Sequence, residues 1–560
     1  MPKRSTLKHR QAAARGALPT LAAILFACAL APAALAQREA PASVSGRVTD
    51  GERGVAGVTV ALLSNDPSRR FRAAARARTD VEGRFHIANV TPGRYQVTPY
   101  APAFVVQGAT NQFPPGRPLT VLAGEEIKDL DFRVERGGVI TGRVTDGDGN
   151  PVVAEAVVVA PVEVNAQTPP RNNYFDMRDQ MTDDRGVYRI YGLAPGRYRV
   201  SVGQGGDEAG AVSYGRRKIF RRTYHPDTTE QAQARVVEVK SGDEAADVDI
   251  TLGKPLKTYR ASGRFVSVET GQPVPGLTYG YGTLDAAGRR VGSYGSGQPS
   301  NAGGEFQTEG LAPGRYMVFN LPGQEVSEFY TEPAMFEIVD ADVTGLVVRV
   351  KRGASVSGVV VIEGVSDRAL TARLLSEVRV YGWLESRSQV APPFTQRPTP
   401  VGPDGSFRVG GLRPGKLRLG YAGDTSKGLL ISRVELNGAN VTGGVEVAEG
   451  AQVTGVRLVL SYGTAVITGQ TSFVNGAPPP GARATAHARR AGATTAGDGG
   501  RSVEVDARGY FRIEGLPAGE YEITVRVFGA GRMHRSEPLT VSVADGGETR
   551  VAPVVDFNKQ

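Results

Sequence analysis

Beyond residue 40, apolar and polar residues alternate in short runs bounded by glycine, proline, asparagine or aspartate. A period of two is that of strands buried on one face, and no segment sustains a helical period with caps, so the chain is expected to be all-β. The most regular stretch is Gly186–Val200, GVYRIYGLAPGRYRV, two alternating runs joined at a Pro-Gly turn. Four more copies read GRFHIANVTPGRYQV from Gly83, GEFQTEGLAPGRYMV from Gly304, GSFRVGGLRPGKLRL from Gly405 and GYFRIEGLPAGEYEI from Gly509. Proline presets the backbone at such a turn, and glycine permits a positive backbone angle beside it.

In every copy an aromatic (Phe85, Tyr188, Phe306, Phe407 or Phe511) precedes Val90, Leu193, Leu311, Leu412 or Leu516 by five residues, and a glycine follows three later. Those glycines, Gly93, Gly196, Gly314, Gly415 and Gly519, lie 103, 118, 101 and 104 residues apart. The period predicts five units, each large enough for a modest core of its own. Their expected bounds are residues 42–136, 137–254 (with loop insertions), 255–352, 353–462 (the most divergent) and 463–560. Two antiparallel sheets packed face to face are the economical way to bury such one-sided strands. The expected architecture is thus a tandem array of about five immunoglobulin-like or prealbumin-like antiparallel sandwiches. Linkers are nearly absent, as in Phe132–Ile140, which predicts an elongated, semi-rigid rod.

Residues 1–36 stand apart. Lys3, Arg4, Lys8, Arg10 and Arg15 precede an apolar run from Leu21 to Leu30, then Ala34-Leu35-Ala36, the three-part pattern of a secretory signal peptide cut before Gln37. The expected location is therefore outside the cytoplasm: periplasm, outer surface or medium. A rival reading takes Leu25–Cys28 as an imperfect lipobox with a lipid anchor on Cys28, but Phe26 is bulky for that role. No other run is long enough to span a bilayer. Cys28 is the single cysteine, so the mature chain has no disulfide and no thiolate chemistry.

Charge adds little. The formal net charge of +9 includes the five basic residues of the signal segment, and about +4 remains without them, which does not favour nucleic-acid binding. Outside the signal segment the histidines His86, His225, His487 and His534 are scattered, HExxH and G-x-S-x-G are absent, and His534–Glu537 matches only HxxE. Asp146, Asp148 and Asn150 alternate in TDGDGNP but lack the glycine and distal glutamate of a calcium loop, so a hairpin turn is expected. Carboxylates such as Asp183, Asp404 and Asp506 sit just before signature strands, where they accept local backbone hydrogen bonds. No cofactor or metal is expected, and no catalytic residue is assigned.

Two candidate partner-binding features remain. Tyr214–Tyr224, YGRRKIFRRTY, interleaves Arg216, Arg217, Lys218, Arg221 and Arg222 with Tyr214, Phe220 and Tyr224, so that guanidiniums could pair with carboxylates or phosphates while rings stack on sugars. Trp383, the single tryptophan, is either core packing or a stacking surface for a ligand.

The five strand–turn–strand motifs, with SGRVTD from Ser45 and TGRVTDGDGNPV from Thr141, resemble the carboxypeptidase regulatory-like domain family, related to transthyretin-like, starch-binding-like and Cna B-type sandwiches. The resemblance implies a non-catalytic accessory of exported bacterial proteins serving in packing, adhesion or carbohydrate binding. It does not carry over a peptidase activity, which belongs to a zinc domain that these domains accompany. The opening strands hold Arg47 and Arg143 where an internal isopeptide bond of the Cna B kind would need lysine. Expected partners are a glycan, a cell-envelope component or a protein. The competing expectation is a glycan-processing enzyme with carboxylates assembled between units.

Overall fold

In a computed structural model, the structure describes residues 40–559 apart from 65–72, 108–115, 164–179, 205–217, 286, 322–327, 385–397, 424–427, 480–481, 493–499 and 530–531. The signal segment and Cys28 lie outside the described residues. The architecture is all-β, with repeated two-sheet sandwiches. In the third, Glu305–Leu311, Tyr259–Ser267, Val343–Arg352 and Phe329–Thr331 form one sheet, and Arg290–Ser296, Tyr279–Leu284, Gly314–Asn320 and Ala334–Ile338 the other. Separate cores lie between the paired sheets, such as the one holding Ile140, Tyr188, Ile190, Tyr198, Val200 and Ile250 in the second unit.

The signature is a corner between sheets rather than a hairpin within one. Val187–Leu193 pairs with the opening strand Gly138–Thr145, while Gly196–Val202 pairs with Val157–Pro161 across the core. Tyrosine fixes that corner: the hydroxyls of Tyr95, Tyr198, Tyr316 and Tyr521 donate to the carbonyls of Thr91, Ala194, Ala312 and Pro517, four residues back, at 2.6, 2.6, 2.7 and 2.8 Å. Burial pushes the Tyr316 phenol up to about 12, so it stays a donor across physiological pH. In the fourth unit the position is Leu417, fully buried, which fills the space left by the absent side chain of Gly382.

Three expectations need correction. The sandwiches are not wholly antiparallel, since each opening strand pairs parallel with the closing one, as Ala42–Asp50 does with Phe132–Arg136 and Ala354–Glu363 with Gln452–Tyr462. A parallel pair needs a long crossover, and the rest of the unit supplies it. The chain therefore enters a unit at one end and leaves at the other. Second, there is a helix, Arg368–Glu377, with Asp367 accepting from the Ala369 N–H as N-cap and Leu374 and Leu375 buried in the fourth core.

Third, the rod closes on itself. The fifth unit touches the first through Arg508, whose guanidinium donates to Glu125 at 2.7 Å, to the Thr120 carbonyl at 2.8 Å and to Asp506 of its own unit at 2.9 Å. Around this fork the Ala507 N–H donates to the Pro118 carbonyl at 3.1 Å, and the Gln96 amide donates to Glu504 at 2.9 Å. Asp506 is almost wholly buried and holds the fork in place from below. A planar guanidinium with its donors engaged by carboxylates and a carbonyl is a specific, directional contact.

Joints between successive units are tight where glycine meets backbone. Gly137 packs on Gly192 at the first joint, Gly353 on Gly411 at the third and Gly463 on Leu516-Pro517 at the fourth. Gly192, Gly411 and Gly515 also carry positive φ, at 69°, 64° and 69°. Gly310, their counterpart at the second joint, has φ 74° but open space around it, and there Leu256 N–H donates to the Ile219 carbonyl at 2.6 Å.

Two outcomes follow. Tyr198→Phe is expected to cost about 1 kcal/mol through the lost corner bond and Tyr198→Ala at least about 3 kcal/mol through the cavity, both read from denaturant unfolding of the second unit. Replacing Arg508 and Glu125 together by serine should lengthen the maximum dimension in small-angle scattering while circular dichroism stays constant. A parent chain already as long as the variant would contradict the closure.

Candidate binding surfaces

The start of the charged strip lies outside the described residues, which leave out Tyr214, Arg216 and Arg217. Its remainder is not the face expected. Phe220 is 4% exposed and belongs to the second core, and Tyr224 is buried in the strand Thr223–Tyr224, which pairs with Gly196–Val202. Apolar rings beside a sheet edge gain more from the core than from water, so neither ring presents a stacking face. Lys218 and Arg221 are exposed and Arg222 is half-buried. What survives of the strip is an exposed cationic edge over a buried aromatic layer.

Trp383 is placed differently. Strand Arg379–Leu384 alternates, so Val380 and Gly382 face the core while Tyr381 and Trp383 share the outer face. Trp383 is 36% exposed, and its ring lies 5.8 Å from that of Tyr381 with 33° between planes. Opposite them in the neighbouring strand are Arg418 and Gly420. A Cβ on Gly420 would come within 2.9 Å of both rings, so the absence of a side chain there lets the two aromatics lie low on the sheet as a shared platform. Sequence reasoning singled out Trp383 but missed Tyr381 and Gly420. The signal was present, because Tyr-Gly-Trp at a strand's period puts two aromatics on one face around a glycine.

The remaining polar candidates are structural. Asp80, Asp183 and Asp506 each accept from backbone N–H groups two and four residues on, as expected of turn carboxylates, and Asp404 accepts from Ser406 N–H. Bonds from Arg185, first its side chain, hold the Asp183 carboxyl below its usual range. Asp146 accepts from Asp148 and Asn150 N–H, closing the TDGDGNP hairpin turn. Among the described residues no group of three His, Cys, Asp or Glu is placed to hold a metal. His534 packs on the Phe557 ring at 4.7 Å, His225 bonds the Asp249 carbonyl at 2.7 Å and His487 bonds Ser502 at 2.6 Å. Carboxylates at the joints are engaged by cations: Glu125 by Arg508, Glu328 by Arg408 and Glu449 by Lys351. None of these is placed as a free pair across a cleft.

Residues 43–134 match the family described as the carboxypeptidase regulatory-like domain. No curated protein matches the chain. Solved structures with a similar arrangement include a streptococcal ancillary pilin, at 14% identity and a TM-score of 0.25, covering 55% of this chain and 98% of that one. The minor pilin of Streptococcus agalactiae is similar at 12% identity and a TM-score of 0.21, covering 38% and 96%. The major pilin subunit of Bacillus cereus is similar at 11% and 0.14, covering 56% and 99%. Likenesses of this size do not carry over what those proteins assemble into.

If Phe220 is core, Phe220→Ala should destabilise the second unit by about 3 kcal/mol or more, while Lys218→Ser with Arg221→Ser should leave unfolding within about 0.5 kcal/mol of the parent. Denaturant titration of both variants checks this. A silent Phe220→Ala would return the ring to the surface.

Proposed function

We propose that this exported multi-domain β-sandwich chain is a non-catalytic scaffold of the cell envelope or surface that binds glycan through the Tyr381–Trp383 platform of its fourth unit. The carrying observation is the pair of outward aromatics over Gly420, one of them the single tryptophan of the chain. Sugar rings present apolar C–H faces that stack on indole and phenol rings, and their hydroxyls bond nearby polar groups. Arg418, across the ladder from Trp383, adds a donor at the platform's edge. A stable sheet beneath, held by Val380, Leu417 and Leu419 in the core, keeps the rings in place without a ligand, which lowers the ordering cost of binding. The exposed Lys218 and Arg221 are a second, electrostatic contact in this reading, screened over about 8 Å at physiological ionic strength.

The test is a glycan and peptidoglycan array, run beside turnover assays, with the mature chain from Gln37. Trp383→Ala is expected to remove array binding while shifting unfolding by no more than about 2 kcal/mol. Binding that survives this substitution would sink the platform. Turnover abolished by a single carboxylate substitution would instead establish a glycan-processing enzyme.

A further inference from the structure

A second feature lies between the fourth and fifth units, away from the aromatic platform. A cavity of about 240 Å³ opens there, with Ser432, Asn440, Thr442 and Ser461 from one unit and Arg490 and Tyr521 from the other on its walls. It is smaller than the roughly 300–1,000 Å³ of pockets for drug-sized ligands, which suits a single ring.

Its walls are fixed before any ligand arrives. Leu430 of the fourth unit is buried in the core of the fifth, and Arg501 of the fifth donates to the Leu429 carbonyl at 3.0 Å. Tyr521 is anchored by its bond to the Pro517 carbonyl. The ladder of strand Leu429–Leu436 shifts register between Ile431 and Arg433, a bulge that sets Ser432 out of the regular alternation.

The donors left over are what a ligand would meet. Thr442 N–H and hydroxyl both donate to the Asn440 carbonyl oxygen, which leaves that amide's NH₂ without a protein acceptor among the described residues. Ser432 and Ser461 likewise make no side-chain bond among the described residues. Arg490 reaches only the Ala518 carbonyl, at 3.5 Å, and no carboxylate among the described residues pairs with it. Arg489, beside it on the same strand, and Arg433, on the strand Leu429–Leu436, are, by contrast, paired with Glu522 and with Glu363 and Glu435. One uncompensated guanidinium facing a wall of hydroxyls and an amide matches a molecule with one carboxylate and several hydroxyls.

We infer that this inter-unit cavity is a binding site for a single sugar-acid ring, with Arg490 pairing the carboxylate and Ser432, Ser461 and Asn440 bonding the ring hydroxyls. The site is independent of the glycan platform, because its fourth-unit strands belong to the sheet that pairs Leu429–Leu436 with Gln452–Tyr462, and the platform belongs to the other.

Calorimetric titration of the mature chain with sodium glucuronate, glucose and sodium sulfate tests it. Glucuronate is expected to bind saturably and Arg490→Gln to weaken it about tenfold, the effect of one charge-assisted hydrogen bond. Ser432→Val with Ser461→Val should weaken glucuronate but not sulfate, and Trp383→Ala should leave it unchanged. Arg490 is exposed, so its substitution leaves the fold intact, which equal unfolding curves would verify. Absence of saturable glucuronate binding, or binding equal in the Arg490→Gln chain, overturns the site. Sulfate or glucose binding as tightly as glucuronate overturns the assignment to a sugar acid. Loss of glucuronate binding on Trp383→Ala would place the ligand on the platform instead.

Discussion

The opening strand of each unit must run flush against the closing one, and a glycine is what allows it. A side chain at Gly46, Gly142, Gly263 or Gly358 would drive into the carbonyl of Leu130, Val248, Leu346 or Val456 respectively. The second unit shows what this close passage secures: the buried Tyr188 hydroxyl donates to that same Val248 carbonyl, beneath Gly142. The parallel pairing, the seating of the signature's first arm and the start of the core all follow from that approach. The fifth unit uses Gly469 differently, against the Phe511 ring, and there the parallel ladder is divided between two short pairings.

Much of this was legible from residue types alone. Period two identified the strands, and the Pro-Gly signature marked the corner, because an i to i+4 tyrosine bond and a sharp turn leave a fixed spacing of Tyr and Gly. Direction was not legible, since alternation is the same whether a neighbour runs parallel or antiparallel. The helix Arg368–Glu377 was hidden by its length and by a surrounding all-β rhythm, although Asp367 and the Leu370/Leu374 spacing were in view. In Tyr214–Tyr224 the interleaving of charges and rings looked like a surface because sequence gives no sign of which side of the strip is covered. Closure of the first unit on the fifth was invisible for a related reason: Arg508 and Glu125 stand 383 residues apart and each reads as an ordinary surface charge.

The same turn chemistry serves twice in the fifth unit. Asp506 accepts from the two backbone groups that its counterparts Asp80 and Asp183 accept, and its second oxygen orients Arg508 toward the first unit. A local device repeated for folding has thus become the seat of a long-range contact. The Tyr381–Trp383 platform arises similarly in the unit that departs furthest from the pattern. Leu417 replaces the corner tyrosine and packs beneath Gly382, and the strand above it carries its aromatics outward.

Parallel pairing of first and last strands also decides how a unit would respond to tension. A pull on the chain at its two ends draws Ala354–Glu363 and Gln452–Tyr462 in opposite senses along one shared ladder. The hydrogen bonds between them are then strained together in shear, whereas adjoining ends of an antiparallel pair would let those bonds break in succession. Load along the chain first parts the Arg508–Glu125 closure and then shears each ladder as a whole, the pairing of Gly138–Thr145 with Ile250–Thr251 being among the shortest of them.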